Sequence, residues 1–220
     1  MNILICGYGF VGMAHALSLQ PYYNTHIYDP MKGYETWVDC DAAIIAVSTP
    51  ENEDGSCNMS NVYQVIERIK DDVPILIKST ISLEGWELIK RAYPKRQITF
   101  SPEYLRANHA MEDFKNQKSV SIGGGDTTYW LRILSTLSIP VEIKNPEILI
   151  LTKYFRNSYL AMKVAFFNQM YDRLPKLVWS LTNYCRVFQM IHVSVKVTHM
   201  LMQMIVVMVV IASPRMCLHY

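Results

Sequence analysis

Several groups of residues in this 220-residue sequence have types and spacings that chemistry uses. Gly7-Tyr8-Gly9-Phe10-Val11-Gly12 is a glycine turn of the kind that cradles a pyrophosphate. The first glycine allows a tight turn, the second lets the phosphates approach the backbone, and the third lets helix and strand pack closely. A helix N-terminus opening at Phe10 would face the phosphate charge. Asp29 lies 22 residues after Gly7, where a carboxylate can bind a ribose 2′-hydroxyl, which favours NAD over NADP. Glu103, in Ser101-Pro102-Glu103, offers a general base or a group that orients water. Lys153 and Asn157 stand at i and i+4, so an ammonium and an amide on one helix face can hold an oxyanion. Thr49 in Ser48-Thr49-Pro50 and Thr80 in Lys78-Ser79-Thr80 supply hydroxyls. Each group also has an ordinary alternative: a solvated Asp, hydroxyls capping helices, a surface Glu, and a solvated polar helix face.

The elements that would position these residues alternate. Strands are expected at 2–6, 25–28, 42–47, 74–78, 98–101, 120–122 and 141–143. Helices are expected at 10–20, 62–69 (with Ser60 as N-cap), 83–92, 127–137 and 146–172. Residues 49–58 are polar and turn-rich, so they read as a loop. Short apolar strands alternating with helices predict an α/β fold, a doubly wound parallel sheet covered on both faces and followed by a long helix. The glycine turn, Thr49, Thr80 and Glu103 then all follow strands, at the edge where open α/β sheets bind ligands.

Half the residues are apolar and 18% are charged, a globular composition. The net charge of +2 carries no global field for nucleic acid. Five cysteines without a CxxC pair fit a reducing compartment better than a disulfide framework, and His15, His26 and His109 lack metal-ligand spacing. The N-terminal stretch MNILICGYGF lacks a basic region and a cleavage site, so the expected location is cytoplasmic.

The composition breaks near residue 172. All 9 glycines lie before Asp126, and all 19 acidic residues lie at or before Asp172. Residues 1–172 hold 16 basic residues against 19 acidic ones, a net −3, whereas residues 173–220 hold five Lys/Arg and no acid. The chain is therefore read as a dinucleotide-binding domain over 1–145, a long helix over 146–172 and an atypical tail over 173–220.

Taken together, GYGFVG, AVSTP, KSTI, SPEYLR, MEDF and KYFRNSYLAMKVAFFNQ, in this order, resemble the UDP-glucose/GDP-mannose dehydrogenase family. The resemblance covers residues 1 to about 172. It implies NAD-dependent oxidation of the C6 alcohol of a nucleotide sugar to a carboxylate, through an aldehyde and a cysteine thioester. The implied substrate is UDP-glucose, with GDP-mannose or a UDP-N-acetylhexosamine as the same-class alternative. The resemblance also implies a Rossmann-type NAD-binding domain and a homodimer built on the long helix. Carried over by motif, Gly7, Tyr8, Gly9, Phe10, Val11, Gly12, Asp29, Thr49 and Thr80 would hold NAD. Thr80 would also position water, Glu103 would serve in thioester hydrolysis, and Lys153 and Asn157 would stabilise oxyanions. Four departures stand out: Ala107 replaces an acid, Gln169 replaces the usual Glu, and both the Gly-rich loop ending Cys-Phe-Pro-Lys-Asp and the second nucleotide-binding domain are absent.

The tail reads as a shifted frame. Read from the last base of each preceding codon, residues 173–220 admit synonymous codons that encode GYGGHCFPKD. Among the residues of the shifted peptide that are forced, Met204-Ile205 must give Asp and Met208-Val209 must give Gly. On this reading the chain is a truncated, inactive form. The rival reading takes the apolar run 200–212 literally, as the hydrophobic tail of a non-catalytic NAD-binding fragment. That run is short of the roughly 20 residues a spanning helix needs.

Overall fold

The computed structural model describes residues 1–173, and the expected tail, with its apolar run 200–212, lies outside the described residues. Two compact units divide the chain, Met1–Arg156 and a second that begins at Asn157.

The first unit is built on five parallel strands: β1 (Asn2–Cys6), β2 (Asn24–Tyr28), β3 (Ala42–Ile45), β4 (Ile75–Ile77) and β5 (Ile98–Phe100). They run in the order β2-β1-β3-β4-β5, so the strand order reverses at β1. Ligands of such sheets bind at that reversal, beyond the carboxyl ends of the strands. The helices are α1 (Phe10–Leu19), α2 (Ser60–Arg68), α3 (Leu83–Ala92), α4 (Ala110–Asn116), α5 (Thr127–Ser135) and α6 (Pro146–Arg173).

From Ile3 of β1, and throughout β3 and β4, the strands carry Ile, Leu, Ala and Cys without alternation because both faces are buried, whereas β2 at the sheet edge is polar and half-exposed. Leu4, Cys6, Ala43, Ile45, Ile75 and Ile77 point to one core, shared with Val62, Ile66, Trp86, Ile89, Leu149 and Ile150. Ile3, Ile5, Ala42, Ile44 and Leu76 point to the other, shared with Ala16, Leu19, Trp130 and Ile133. Each fully buried aliphatic side chain stabilises the fold by about 1.5–3 kcal/mol. Leu149 and Ile150 anchor the start of α6 in the first core, which fixes the helix turn that carries Lys153.

The α/β architecture agrees with the expectation, and the differences have local causes. Strand β3 ends at Ile45, two residues early, because the Ser79 hydroxyl donates to the Val47 carbonyl at 2.7 Å. Ser60 is not the N-cap of α2. Met59 holds that position, and Asn58 Oδ1 accepts from both the Ser60 N–H at 2.9 Å and the Ser60 hydroxyl at 2.6 Å. The short helix α4 was not expected, and it packs on α1. Strands β6 (Val120–Ile122) and β7 (Val141–Ile143) form their own parallel pair, joined to β5 by the antiparallel bridge Phe100–Gly123. Among the described residues no helix is long and apolar enough to cross a membrane.

Candidate active site

The glycine turn follows β1 directly. Gly7 has φ +92°, and a Cβ there would lie 2.4 Å from the Ala46 carbonyl oxygen, so β1 and β3 meet at this point only because the side chain is absent. A Cβ on Gly12 would lie 1.9 Å from the Gly7 carbonyl oxygen, which lets α1 close onto the turn. Gly9 differs from both: nothing lies within 4 Å of where its Cβ would be. It is the N-cap of α1, without a side-chain cap and without an acid in the first turn. The first N–H groups of α1 therefore face open space beside the one glycine of the three that packing does not require. That cradle fits a pyrophosphate.

Asp29 ends β2, and its Oδ2 accepts from the Tyr8 N–H at 2.7 Å. The carboxylate thus ties β2 to the glycine turn through one oxygen and leaves the other for a hydroxyl pair. Lys32, which sequence reasoning missed, donates to the Tyr8 carbonyl at 2.6 Å from the turn after β2. The Tyr8 ring stands edge-on to Tyr34 at 5.1 Å, while Phe10 is exposed and Val11 half-buried. These residues can hold a dinucleotide through backbone N–H groups and one carboxylate.

The hydroxyls sort into two kinds. The Thr49 hydroxyl donates to the Thr80 carbonyl at 2.8 Å, so it clamps the segment after β3 to the segment after β4. Thr80 is half-buried. Neither Ser48 nor Thr49 caps a helix through its own hydroxyl; the Ser48 carbonyl accepts from the Asn61 amide of α2 at 3.0 Å.

Beyond β4 and β5 lies a group of buried charges. Lys78 is 2% exposed, Glu103 8% and Lys153 8%. The surface-Glu alternative fails for Glu103, and Lys153 is no member of a solvated face. Lys78 Nζ lies 3.0 Å from Glu103 Oε2, donates to Ser101 Oγ at 2.9 Å and reaches the Pro102 carbonyl at 3.4 Å. Glu103 Oε1 accepts from the Tyr104 N–H at 2.9 Å. Burial pushes the Glu103 carboxyl up, but the Lys78 ammonium, His15 and the Tyr104 N–H outweigh it and hold the carboxyl below its usual range. Glu103 is therefore ionised at neutral pH. Burial and the Lys78 charge drive Lys153 down to about 8, with Glu103 opposing them.

His15 of α1 completes the group. It is 1% exposed, its Nδ1 lies 2.9 Å from the Val11 carbonyl, and its ring stands edge-on to Phe114 at 4.9 Å. Burial and Lys78 push it down to about 4, so the ring is neutral near pH 7. Sequence reasoning missed Lys78 and His15 as partners of Glu103; a lysine closing a strand in a KST triplet was the only signal for the first. Asn157 is exposed. A cavity of about 630 Å³ lined by Cys57, Met59, Tyr63, Ser82, Leu151 and Tyr154, among others, includes none of the charged trio.

A family model described as the NAD binding domain of the UDP-glucose/GDP-mannose dehydrogenase family matches residues 24–137. The UDP-glucose 6-dehydrogenase of Campylobacter jejuni is 30% identical over 148 residues, covering 62% of this chain and 37% of that protein. The one from Rickettsia conorii is 32% identical over 152 residues, covering 63% of this chain and 35% of its own. The chain thus spans about a third of the length of these relatives. Among solved structures, the UDP-glucose dehydrogenase of Pyrobaculum islandicum aligns with TM-score 0.63 at 23% identity, covering 77% of this chain and 52% of that one. The UDP-N-acetyl-mannosamine dehydrogenase of Staphylococcus aureus aligns with TM-score 0.66 at 17% identity, covering 77% and 54%. At these identities the structural likeness speaks for the fold.

Proposed function

The chain belongs to the UDP-glucose/GDP-mannose dehydrogenase family, whose NAD-binding domain its residues 24–137 match, and from that premise we propose that it is the cofactor-binding part of an NAD-dependent nucleotide-sugar 6-dehydrogenase acting on UDP-glucose. The observation that carries the reading is the meeting, on one edge of one parallel sheet, of an open glycine cradle and a buried Glu–Lys pair. The first suits a dinucleotide. The second suits a reaction in which negative charge develops on oxygen and water must be activated.

NAD, when bound, accepts hydride from carbon 6 of the sugar. Gly7, Tyr8, Gly9, Phe10, Val11 and Gly12 would hold its phosphates, and Asp29 its ribose. Thr49 would brace Thr80, whose hydroxyl would position water. Glu103, held ionised in a dry setting, would accept a proton from that water during hydrolysis of the acyl intermediate. Lys153 and Asn157 would stabilise the oxyanions. The exposed apolar residues Ile148, Phe155, Tyr159 and Met162, spaced seven, four and three residues apart on α6, support a homodimer through that helix.

The cysteine loop implied by the family is not in this sequence, so the 220-residue chain is expected to bind NAD without turnover. The same view takes residues 173–220 as an out-of-frame translation. Titration calorimetry with NAD tests the binding, and absorbance at 340 nm with UDP-glucose tests the turnover. Absence of NAD binding to the folded chain would overturn the reading, as would sustained NADH formation its inactive part. Codons over 168–220 that cannot encode GYGGHCFPKD in the shifted frame would end the frameshift proposal.

A further inference from the structure

Lys78 has no task in the reading above, and its surroundings define one. An ammonium has three N–H bonds. The three partners of Lys78 are consecutive residues after β5: Ser101 Oγ at 2.9 Å, the Pro102 carbonyl at 3.4 Å and Glu103 Oε2 at 3.0 Å. Glu103 is then held on both sides, Oε1 accepting from the Tyr104 N–H and Oε2, which accepts no hydrogen bond, lying at ion-pair distance from Lys78. Lys153 is as buried as Glu103 and close enough to feel the charges of both Lys78 and Glu103. A buried ammonium beside a buried carboxylate would ordinarily pair with it. Here the carboxylate pairs with the other lysine.

We propose that Lys78 is a positioning residue: it claims the Glu103 carboxylate and so leaves the Lys153 amine unpaired, able to exchange its proton with the bound sugar. This rests on the reading of Lys153 as part of the site. Two cations and one anion share the pocket, so one cation must remain without a counterion. The segment from Ser101 to Glu103 is bonded to Lys78, which decides which cation that is. A positively charged cluster with an uncommitted amine suits an alcohol that gives up its proton to that amine, becomes an alkoxide, and turns into an aldehyde as its hydride passes to NAD. The other groups facing the cluster do not change this balance. His15 from α1 is neutral above about pH 4. Tyr104 faces Glu103, with its phenol pushed up by burial, and the Arg156 guanidinium sits over its ring at 4.5 Å.

The test is the titration of Lys153 in the full 220-residue chain, followed by the Cε shifts of ¹³C-labelled lysine and assigned by the signal lost in Lys153→Met. The wild-type midpoint is expected at about 8. In Lys78→Met it should rise by at least about one pH unit, because a repelling charge is gone and Glu103 is released. In Glu103→Gln it should fall, and in Lys78→Arg it should stay within about 0.3 unit of wild type. A Lys78→Met midpoint that is unchanged or lower overturns the proposal. Should Lys78→Met not fold, the comparison moves to the Glu103→Gln background, where no buried anion is left unpaired. Adding Lys78→Met there must still raise the midpoint, and no rise overturns the proposal. Calorimetry with NAD on the wild-type chain separates the two readings: loss of the functional reading shows as absent NAD binding, loss of this one as an unmoved Lys153 midpoint.

Discussion

At the glycine turn, capacity for a ligand is made by leaving atoms out. Gly7 and Gly12 let backbone approach backbone, and Gly9 leaves a gap above helix N–H groups that nothing else occupies. Around Glu103, capacity is made by bringing charges in. Lys78 and Glu103, from the segments after β4 and β5, gather with Lys153 of α6 and His15 of α1 as buried side chains. The two regions share one sheet edge, yet one is governed by volume and the other by charge. They should therefore fail under different insults.

The largest effect is expected from volume added at the turn. Gly12→Val puts a branched side chain where even a Cβ would lie 1.9 Å from the Gly7 carbonyl. The neighbouring atoms are backbone and cannot move aside. The cost should be at least about 4 kcal/mol, enough to unfold most of the protein. Urea denaturation followed by circular dichroism reads it, and a midpoint close to wild type would show that the turn can open.

The charged region should respond to unpairing more than to volume. Glu103→Leu leaves Lys78 buried without its anion, at a cost of about 3–5 kcal/mol. The double variant Lys78→Met/Glu103→Leu removes both charges and should recover most of that loss. A double-mutant cycle by denaturation checks it. If the two single losses simply add, the 3.0 Å contact contributes nothing specific to the fold.

These two regions were also unequally legible in the sequence. The glycine turn and Asp29 depend on local order and on a strand–helix–strand spacing, and the structure has the turn between β1 and α1 and Asp29 directly after β2, the positions that residue types alone predict. The burial of Glu103 was not, because it depends on Lys78, 25 residues earlier, and on α4 and α6 covering the segment after β5. A lone acid after a strand looks the same on a surface. His15 reads as an ordinary helix residue until Phe114 of the unexpected α4 closes over it. The parallel sheet covered on both faces followed from short apolar strands alternating with helices, while helix ends moved wherever a side chain such as Asn58 bonded to the backbone.

A smaller effect, confined to the charged region, is a dependence on acid. His15 is pushed from 6.5 down to about 4 in the folded chain. Its folded value is depressed, so as pH falls below about 6.5 the unfolded chain binds the proton first. Stability is then lost progressively down to about pH 4. The loss amounts to roughly 3 kcal/mol. His15→Leu should remove that slope between pH 6.5 and 4. Denaturation curves across that range compare the two. An equal slope in both proteins would show that His15 is accessible to protons in the native state.

The smallest effect on the fold should come from Gly9→Ala, and it is the substitution that sets ligand binding apart from packing. The backbone there has φ −71° and ψ −172°, which alanine adopts without strain, and its Cβ would meet nothing within 4 Å. Stability should change by less than about 1 kcal/mol. The new methyl group nevertheless projects into the open space beside the first N–H groups of α1, where a pyrophosphate would sit. NAD affinity measured by calorimetry should fall about tenfold or more, a loss near 1.4 kcal/mol. Gly12→Val would lose binding because it loses the fold, whereas Gly9→Ala should lose binding with the fold intact. If Gly9→Ala binds NAD as well as wild type, the gap above α1 is not the phosphate cradle. The contrast between a region shaped by absent atoms and one shaped by buried charge would then have no bearing on cofactor binding.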